Sequence, residues 1–196
     1  MKTKFLLSTM AMAVVMMVLV GCKGKNDPDS PSVIDAVCDM YGKSLSKAIS
    51  IAKSNGFSYI DQEKNCAIGF EKEPTETEEP STQLSMCAWE GDIVNAIGYM
   101  VRFEGNNGAD KIYDFVKSIG ETRKINGNVL KFSEGEDSNG EEYNDFNKFL
   151  QALVNAKSEV HALWKSNNTS LQLYFDAEYS EDGYSYLTFE IGGEYE

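Results

Sequence analysis

Four cysteines, one histidine and 31 carboxylates are the side chains of this 196-residue chain that could do chemistry. A histidine metal site needs several imidazoles in one place, and His161 can supply only one. The sequence also lacks the GxSxG and HExxH motifs and a glycine-rich loop that would cradle phosphate. We therefore predict no metal site and no cofactor, and we assign no catalytic residue.

One run of carboxylates, from Glu134 to Glu142, could offer oxygen ligands to Ca²⁺. Its stretch Asp137-Ser138-Asn139-Gly140 matches the middle of an EF-hand loop. Gly135 and Phe146 stand where the first ligand and the closing glutamate belong, so both ends of the coordination sphere are missing. We interpret the run as a solvated acidic loop. A catalytic Asp/Glu pair elsewhere stays open, because a sequence gives no distance between carboxylates.

The first 22 residues have the composition of an export signal. Lys2 and Lys4 supply positive charge, and a nearly unbroken apolar run follows from Phe5 to Val20. That run is short for a bilayer span, which needs about 20 residues. Gly21 is the small residue that a signal peptidase needs at its cut, and Cys22 follows with a thiol that can carry a lipid. This segment resembles the signal peptide and lipobox of bacterial lipoprotein precursors, and the resemblance ends at residue 22.

The resemblance implies that cleavage makes Cys22 the new N-terminus and that lipid on this cysteine holds the protein to a membrane. In this family, the usual signal for retention at the inner membrane is an aspartate directly after the cysteine. Lys23 stands at that position here, which favours an outer-membrane lipoprotein that faces the periplasm or the cell surface. Two alternatives stay open: an uncleaved transmembrane anchor, and ordinary secretion with Cys22 in a disulfide.

Cleavage would also change the charge of the protein. Residues 1–21 hold two of the 18 basic residues and none of the 31 acidic ones, so the net charge would fall from −13 to −15. This acidity argues against nucleic acid, since phosphate binding needs a basic surface, and against electrostatic binding to anionic lipid. The partner classes left are an envelope protein, a peptide or a glycan. A cationic partner stays open, and the simpler interpretation is a soluble acidic surface.

Once Cys22 carries lipid, three cysteines remain, and an odd number cannot all pair within the chain. Cys66 and Cys87 lie almost symmetrically about the acidic, proline-containing stretch 71–80. If the strands on either side of that stretch pair antiparallel, the two cysteines face each other, and the exported location permits a disulfide between them. Two buried free thiols are the alternative. The cysteine spacings match no CxxC metal or redox motif.

Hydrophobic periodicity predicts the elements that position these residues. Three- and four-residue spacing predicts helices over 33–52, 109–119 and 146–154, the first of them disturbed at Gly42. Apolar stretches bounded by turn residues predict strands over 57–60, 66–70, 84–89, 93–103, 122–125 and 129–132. The segment 159–164 stays open between the end of a helix and a strand.

We predict a signal peptide over residues 1–21, a flexible tether over 22–31 and a single domain over 32–196. The fold class that we expect is α+β, an antiparallel sheet packed by two or three amphipathic helices. Repeated helix-plus-hairpin units are one way to build it, because a lysine–serine pair ends each helical pattern.

The clearest local prediction is a C-terminal hairpin around the loop 181–183. Its register puts three apolar pairs on one face: Ala177 with Leu187, Phe175 with Phe189, and Leu173 with Ile191. Tyr174, Tyr184 and Tyr186 fall on the opposite face. Their polar neighbours there are Gln172, Asp176, Glu178, Thr188 and Glu190. Tyrosine rings beside hydrogen-bonding groups can hold sugars or peptides, so this face is a candidate ligand-binding surface. The alternative is that tyrosine simply favours sheets and that another helix covers the face.

Three functions are compatible with these features. The first is a lipid-anchored cell-envelope protein with a non-enzymatic interaction or ligand-binding domain. The others are a carboxylate-dependent hydrolase and a structural component of an envelope assembly. A hydrolase should show a concave site with convergent carboxylates, at least one of them desolvated. A binding module should show an exposed aromatic or apolar patch without such a pair. We expect a binding module rather than an enzyme.

Overall fold

The computed structural model describes residues 31–71, 81–104, 108–154, 156, 159–179 and 184–193. These ranges exclude the predicted signal peptide over 1–21 and the predicted lipidation site, Cys22. They also exclude the predicted tether except for its last residue. The helices are α1 (Pro31–Met40), α2 (Leu45–Ser54), α3 (Gly108–Ile119) and α4 (Phe146–Leu153). The strands are β1 (Tyr59–Glu63), β2 (Cys66–Phe70), β3 (Thr82–Cys87), β4 (Ala96–Glu104), β5 (Thr122–Ile125), β6 (Asn128–Glu136), β7 (Glu142–Tyr143), β8 (Val160–Ser166), β9 (Leu171–Tyr179) and β10 (Tyr184–Gly193).

One antiparallel sheet takes in every strand of the described residues. Its order is β1-β2-β3-β4-β10-β9-β8-β6-β5, with the short β7 paired to β6. Strands β1 to β4 form a meander, and β10 then lies against β4 along residues 184–191. The pairing of β10 with β4 joins the N-terminal and C-terminal halves of the chain into a single sheet.

The α+β fold predicted from the sequence is wrong, because the described residues are 48% strand and 27% helix and form a β-rich fold. The undecided segment 159–164 belongs largely to β8, and β6 continues to Glu136, into the run interpreted as an acidic loop. The first predicted helix is two short ones, since Gly42 takes a φ of +77° between them. Four short helices therefore lie on one wide sheet, in place of two or three that alternate with hairpins as repeated units.

The helices pack on one face of the sheet, where alternate strand residues form the hydrophobic core. Phe115 of α3 contacts Tyr99 of β4 and Phe189 of β10, at ring-centroid distances of 6.1 and 5.8 Å. Phe149 of α4 lies 5.5 Å from Phe132 of β6, centroid to centroid. Buried residues of α1 and α2 belong to the same cluster. We call this side of the sheet the covered face.

Trp164 fixes the position of β8 in this core. Its side chain is completely buried, with the rings of Phe132 and Phe146 at centroid distances of 5.4 and 6.2 Å. Its indole N–H donates a hydrogen bond of 2.9 Å to the carbonyl oxygen of Gly120, just after α3. Because successive side chains of a strand point to opposite faces, a fixed Trp164 also sets where the other side chains of β8 emerge.

The predicted register of the C-terminal hairpin is confirmed. β9 and β10 pair Ala177 with Leu187, Phe175 with Phe189, and Leu173 with Ile191, and these six side chains are all buried. The predicted loop, 181–183, lies outside the described residues. Since a slip of one residue would turn every side chain to the other face, burial of these six residues holds the intervening ones on the opposite side of the sheet.

The hairpin of β2 and β3 places Cys66 directly opposite Cys87, and their sulfur atoms are bonded to each other. The bridge joins residues 21 positions apart, and most of the acidic stretch between them (72–80) lies outside the described residues. Closing a loop of this length contributes about 3 kcal/mol by restricting the unfolded chain. Cys38 of α1 is a free, buried thiol.

Candidate functional site

The helices leave the second side of the sheet uncovered within the described residues, and we call this side the open face. Its centre lies on β4, β10, β9, β8 and β6, in that order across the sheet. The aromatic and charged side chains there are Arg102, Glu104, Tyr184, Tyr186, Glu190, Tyr174, Asp176, Glu178, His161, Lys165, Lys131, Glu134 and Glu136. Most of them are half-buried, because neighbours on one face shield each other from water.

The three tyrosines singled out in the sequence all lie half-buried on the open face. The Tyr184 ring carries the guanidinium of Arg102, 5.2 Å from its centroid. The Tyr174 ring stacks with the imidazole of His161 at a centroid distance of 6.4 Å. Tyr186 pairs with Arg102 on one side and with Glu178 on the other. The tyrosines are therefore set among charged groups rather than joined in one apolar patch.

A row of polar residues crosses four strands of the open face. The register places Thr188 opposite Asp176, Asp176 opposite His161, and His161 opposite Glu136. His161 Nε2 lies 3.2 Å from Glu136 Oε2. The imidazole thus stands between two carboxyl groups, on neighbouring strands to either side.

Asp176 is the most unusual group of this row. Its Oδ1 atom is buried and finds no hydrogen-bond donor within the described residues. The pKa of this carboxyl is raised from 3.8 to about 6, mainly by burial and also by the negative charges of Glu159 and Glu178. The charge of His161 and the backbone N–H of Ala177 act in the opposite direction. Asp176 is therefore a desolvated carboxyl that lacks a full set of partners.

Glu190 extends the acidic site onto β10, two residues beyond Thr188 and opposite Tyr174. Burial, together with the charge of Asp176, raises the pKa of the Glu190 carboxyl above its ordinary value. On the β4 side Glu190 pairs with Gly98, which has no side chain on this face. The Ser85 hydroxyl of β3 fills the space beside Gly98, 2.7 Å from where a Cβ atom would stand. We call Asp176, Glu190 and the Tyr174 ring the acidic site.

The acidic site can do two kinds of chemistry. A carboxyl that lacks donors and repels a second carboxyl favours a bound cation, which supplies both charge and N–H groups. It also favours a bound proton, which is the property of a general acid. The described residues contain no group of three or more histidine, cysteine, aspartate and glutamate side chains placed to hold a metal ion.

In the acidic run 134–142, which matches the middle of an EF-hand loop, the Asp137 carboxylate accepts hydrogen bonds from nearby groups of the chain. Asp137 Oδ1 accepts hydrogen bonds from the backbone N–H groups of Asn139 and Glu141, at 2.9 and 3.0 Å. Asp137 Oδ2 accepts a hydrogen bond of 3.1 Å from the Tyr143 hydroxyl. Although partial burial acts to raise it, these bonds lower the pKa of Asp137. The side chain stabilises the turn between β6 and β7.

A separate cleft of about 170 Å³ lies between α1 and the edge strand β5. Arg123 of β5 forms an ion pair with Asp35 across it, and the Cys38 thiol lies in the same lining. Burial raises the pKa of Cys38, although the charge of Arg123 opposes this effect. A thiol with a raised pKa is a poor nucleophile at neutral pH, so the cleft shows no sign of thiol catalysis.

Comparison of the chain with protein families, with curated proteins and with solved structures finds no match. The geometry of the open face is therefore the basis on which function must be argued. Within the described ranges, no helix is both long and apolar enough to cross a bilayer.

In the sequence, Asp176 and Glu190 stand out only as neighbours of the tyrosines, and His161 lies in a segment that is open between helix and strand. The signal that would have placed His161 was the alternation of Val160, Ala162 and Trp164, which is typical of a half-buried strand. No sequence signal could have brought Glu136 beside His161. Their contact depends on the order of strands, which places β6 next to β8.

Asparagine at position 176 should change the pH dependence of stability. The folded protein keeps a proton on Asp176 up to about pH 6, whereas the ordinary pKa is 3.8. The folded state therefore binds more protons between these values, and the free energy of unfolding falls as pH rises from about 4 to about 6. As pH rises across this window, we expect the free energy of unfolding of Asp176→Asn to increase by roughly 2 kcal/mol relative to that of the wild type. Urea unfolding at each pH would measure it.

Asp114→Asn is the matched control, because it removes an exposed carboxyl from α3, on the other side of the sheet. Its gain across the window should be much smaller. A difference between Asp176→Asn and the wild type that stays constant from pH 4 to pH 7 would contradict the burial of this carboxyl.

Proposed function

We propose that this chain is a lipid-anchored cell-envelope protein whose domain binds a partner through the open face of its sheet, without catalysing a reaction. The observation that carries this proposal is the half-buried face of tyrosines and charged groups opposite a fully packed helical layer. Rings with polar tips beside carboxylates form hydrogen bonds and bury area at small entropic cost, as binding surfaces require.

The anchoring part of the proposal is supported by the lipobox that ends at Cys22. Lipid on this residue would attach the protein to the outer membrane, where it would face the periplasm or the cell surface. The chain enters the described domain at Pro31 in α1, which belongs to the helical layer. A tether joined to that layer leaves the open face accessible to a partner.

If Cys22 carries lipid, the Cys22→Ala variant should take up no label from radioactive palmitate in growing cells. Alanine has no sulfur to which the lipid could be linked. The variant should also leave the membrane fraction. Cys38→Ala, which removes the buried free cysteine, should keep the full label. Undiminished labelling of Cys22→Ala would remove the anchor from the account.

Binding through the open face predicts that Tyr174→Ala/Tyr186→Ala loses its partner. Intact envelopes would be treated with a short cross-linker, and captured proteins quantified by mass spectrometry against the wild type. Tyr113→Ala, which removes a half-buried tyrosine from α3, should capture as the wild type does. We expect at least a tenfold drop for the open-face variant, with unchanged circular dichroism. Equal capture by both variants would overturn the proposal.

A carboxylate-dependent hydrolase is the second candidate, and the raised pKa of Asp176, about 6, is the observation that favours it. Such a carboxyl can donate a proton near pH 6 while Glu190 on the next strand acts as base or nucleophile. This candidate predicts that the wild type releases chromophore from aryl glycosides at pH 6 and that Asp176→Asn does not. A wild type without measurable release over a panel of such glycosides would dismiss it.

A further inference from the structure

We infer that the acidic site of the open face receives a lysine or arginine side chain of a partner protein, held beside Asp176 and Glu190. This inference rests on the proposed binding function and adds the chemistry of the group that is bound. It commits the open face to a basic segment of protein rather than to a glycan or a neutral peptide.

The first observation is the distribution of charged groups on the open face. Two of its basic groups stand next to carboxylates, since Lys165 Nζ lies 3.3 Å from Glu134 Oε1 and Arg102 lies 3.8 Å from Glu104. A further basic group, the exposed Lys131, lies opposite Lys165 on β6 and not beside Asp176 or Glu190. Within the described residues, neither Asp176 nor Glu190 forms an ion pair. Asp176 and Glu190 also lie on neighbouring strands, where the charge of Asp176 acts unfavourably on the ionised Glu190 carboxyl.

The second step is the missing donor at Asp176 Oδ1. A buried carboxylate oxygen without a hydrogen bond costs about 1–3 kcal/mol or more, which a ligand recovers if it brings a donor. An ammonium group brings three N–H donors and a guanidinium five, each strengthened by the charge. A neutral sugar hydroxyl would supply a donor but would leave the repulsion between Asp176 and Glu190 in place.

The aromatic ring of the site fits the same occupant. Tyr174 pairs with Glu190 across the strands, so a cation near that carboxyl would also lie near a tyrosine ring. Cations over aromatic faces gain about 0.5–1 kcal/mol at exposed sites. The open face already holds one such pair, since the Arg102 guanidinium lies 5.2 Å from the Tyr184 ring centroid.

Binding of a cation should depend on pH, because it needs Asp176 ionised. The charged and titratable groups that face Asp176 are Glu159 and His161 on the side of β8, Tyr174 and Glu178 on β9, Glu190 on β10, and Glu136 on β6 beyond His161. With a pKa of about 6, roughly a tenth of Asp176 is ionised at pH 5 and nearly all at pH 7.5. The affinity should therefore rise about tenfold as pH rises between these values.

The test uses the mature lipidated protein in neutral detergent micelles and two probes that differ in charge alone. One probe is a capped tetralysine peptide, and the other is the same peptide acetylated on every Nε. Affinities would be measured by microscale thermophoresis at physiological ionic strength, at pH 5 and pH 7.5. We expect binding of tetralysine at pH 7.5 at least tenfold tighter than that of the acetylated peptide.

Matched variants separate the acidic site from the general acidity of the protein. Asp176→Asn/Glu190→Gln should weaken tetralysine binding at least tenfold. Asp110→Asn/Asp114→Asn, which removes two exposed carboxyls from α3, should change it less than twofold. Asp176→Asn alone should lose most of the pH dependence. Equal weakening by the two double variants would overturn the inference, because it would mean non-specific attraction.

The outcomes also keep the inference apart from the proposed function. Suppose that envelope capture depends on Tyr174 and Tyr186 but not on the charges of Asp176 and Glu190. The open face would then still be a binding surface, and the inference that it receives a lysine or arginine side chain would be wrong. If capture depends on none of these residues, both the proposed function and the inference fail.

Discussion

Side chains of a β-strand alternate between the two faces of its sheet, and within the described residues of this protein the short helices occupy only one of those faces. Every central strand must therefore send apolar side chains to the helices and different ones to the other side. The register that buries Phe175, Phe189 and Leu187 also holds Tyr174, Asp176 and Glu190 together on the open face. The core thus positions a site to which it contributes no side chain.

One-sided cover also accounts for the electrostatics of the site. Neighbouring side chains on the open face remove water from Asp176 and Glu190, and within the described residues Asp176 Oδ1 is left without the donor that a folded interior normally provides. The carboxyls are consequently held at raised pKa values, at a cost to stability that the hydrophobic core offsets. Strain of this kind, concentrated on an uncovered surface, is what a bound group of opposite charge would relieve. The same relief by a proton makes the site sensitive to pH.

Much of this arrangement was predictable from local sequence, and the part that failed was long-range. Strand 66–70 and the register of the last hairpin follow from alternation and turn residues, and the structure confirms both. Gly42 marks the break in the first predicted helix. The break separates two helices, and the Gly42 N–H donates a long-range hydrogen bond to the carbonyl oxygen of Val94, which local sequence could not predict. The fold class was wrong because strand lengths and strand order come from tertiary pairing, which let β6 and β8 extend through acidic or ambiguous stretches. His161 and Glu136 meet only through that pairing.

Site-specific photo-cross-linking in intact envelopes tests the central claim most directly, namely that the open face is where a partner binds. Benzoylphenylalanine would replace Tyr186 on the open face or Tyr113 on the helical layer, two half-buried tyrosines of the same domain. The account predicts a discrete cross-linked species from position 186, none from position 113, and loss of that species when Asp176 and Glu190 are neutralised. Cross-linking from position 113 alone, or equally from both positions, would contradict it.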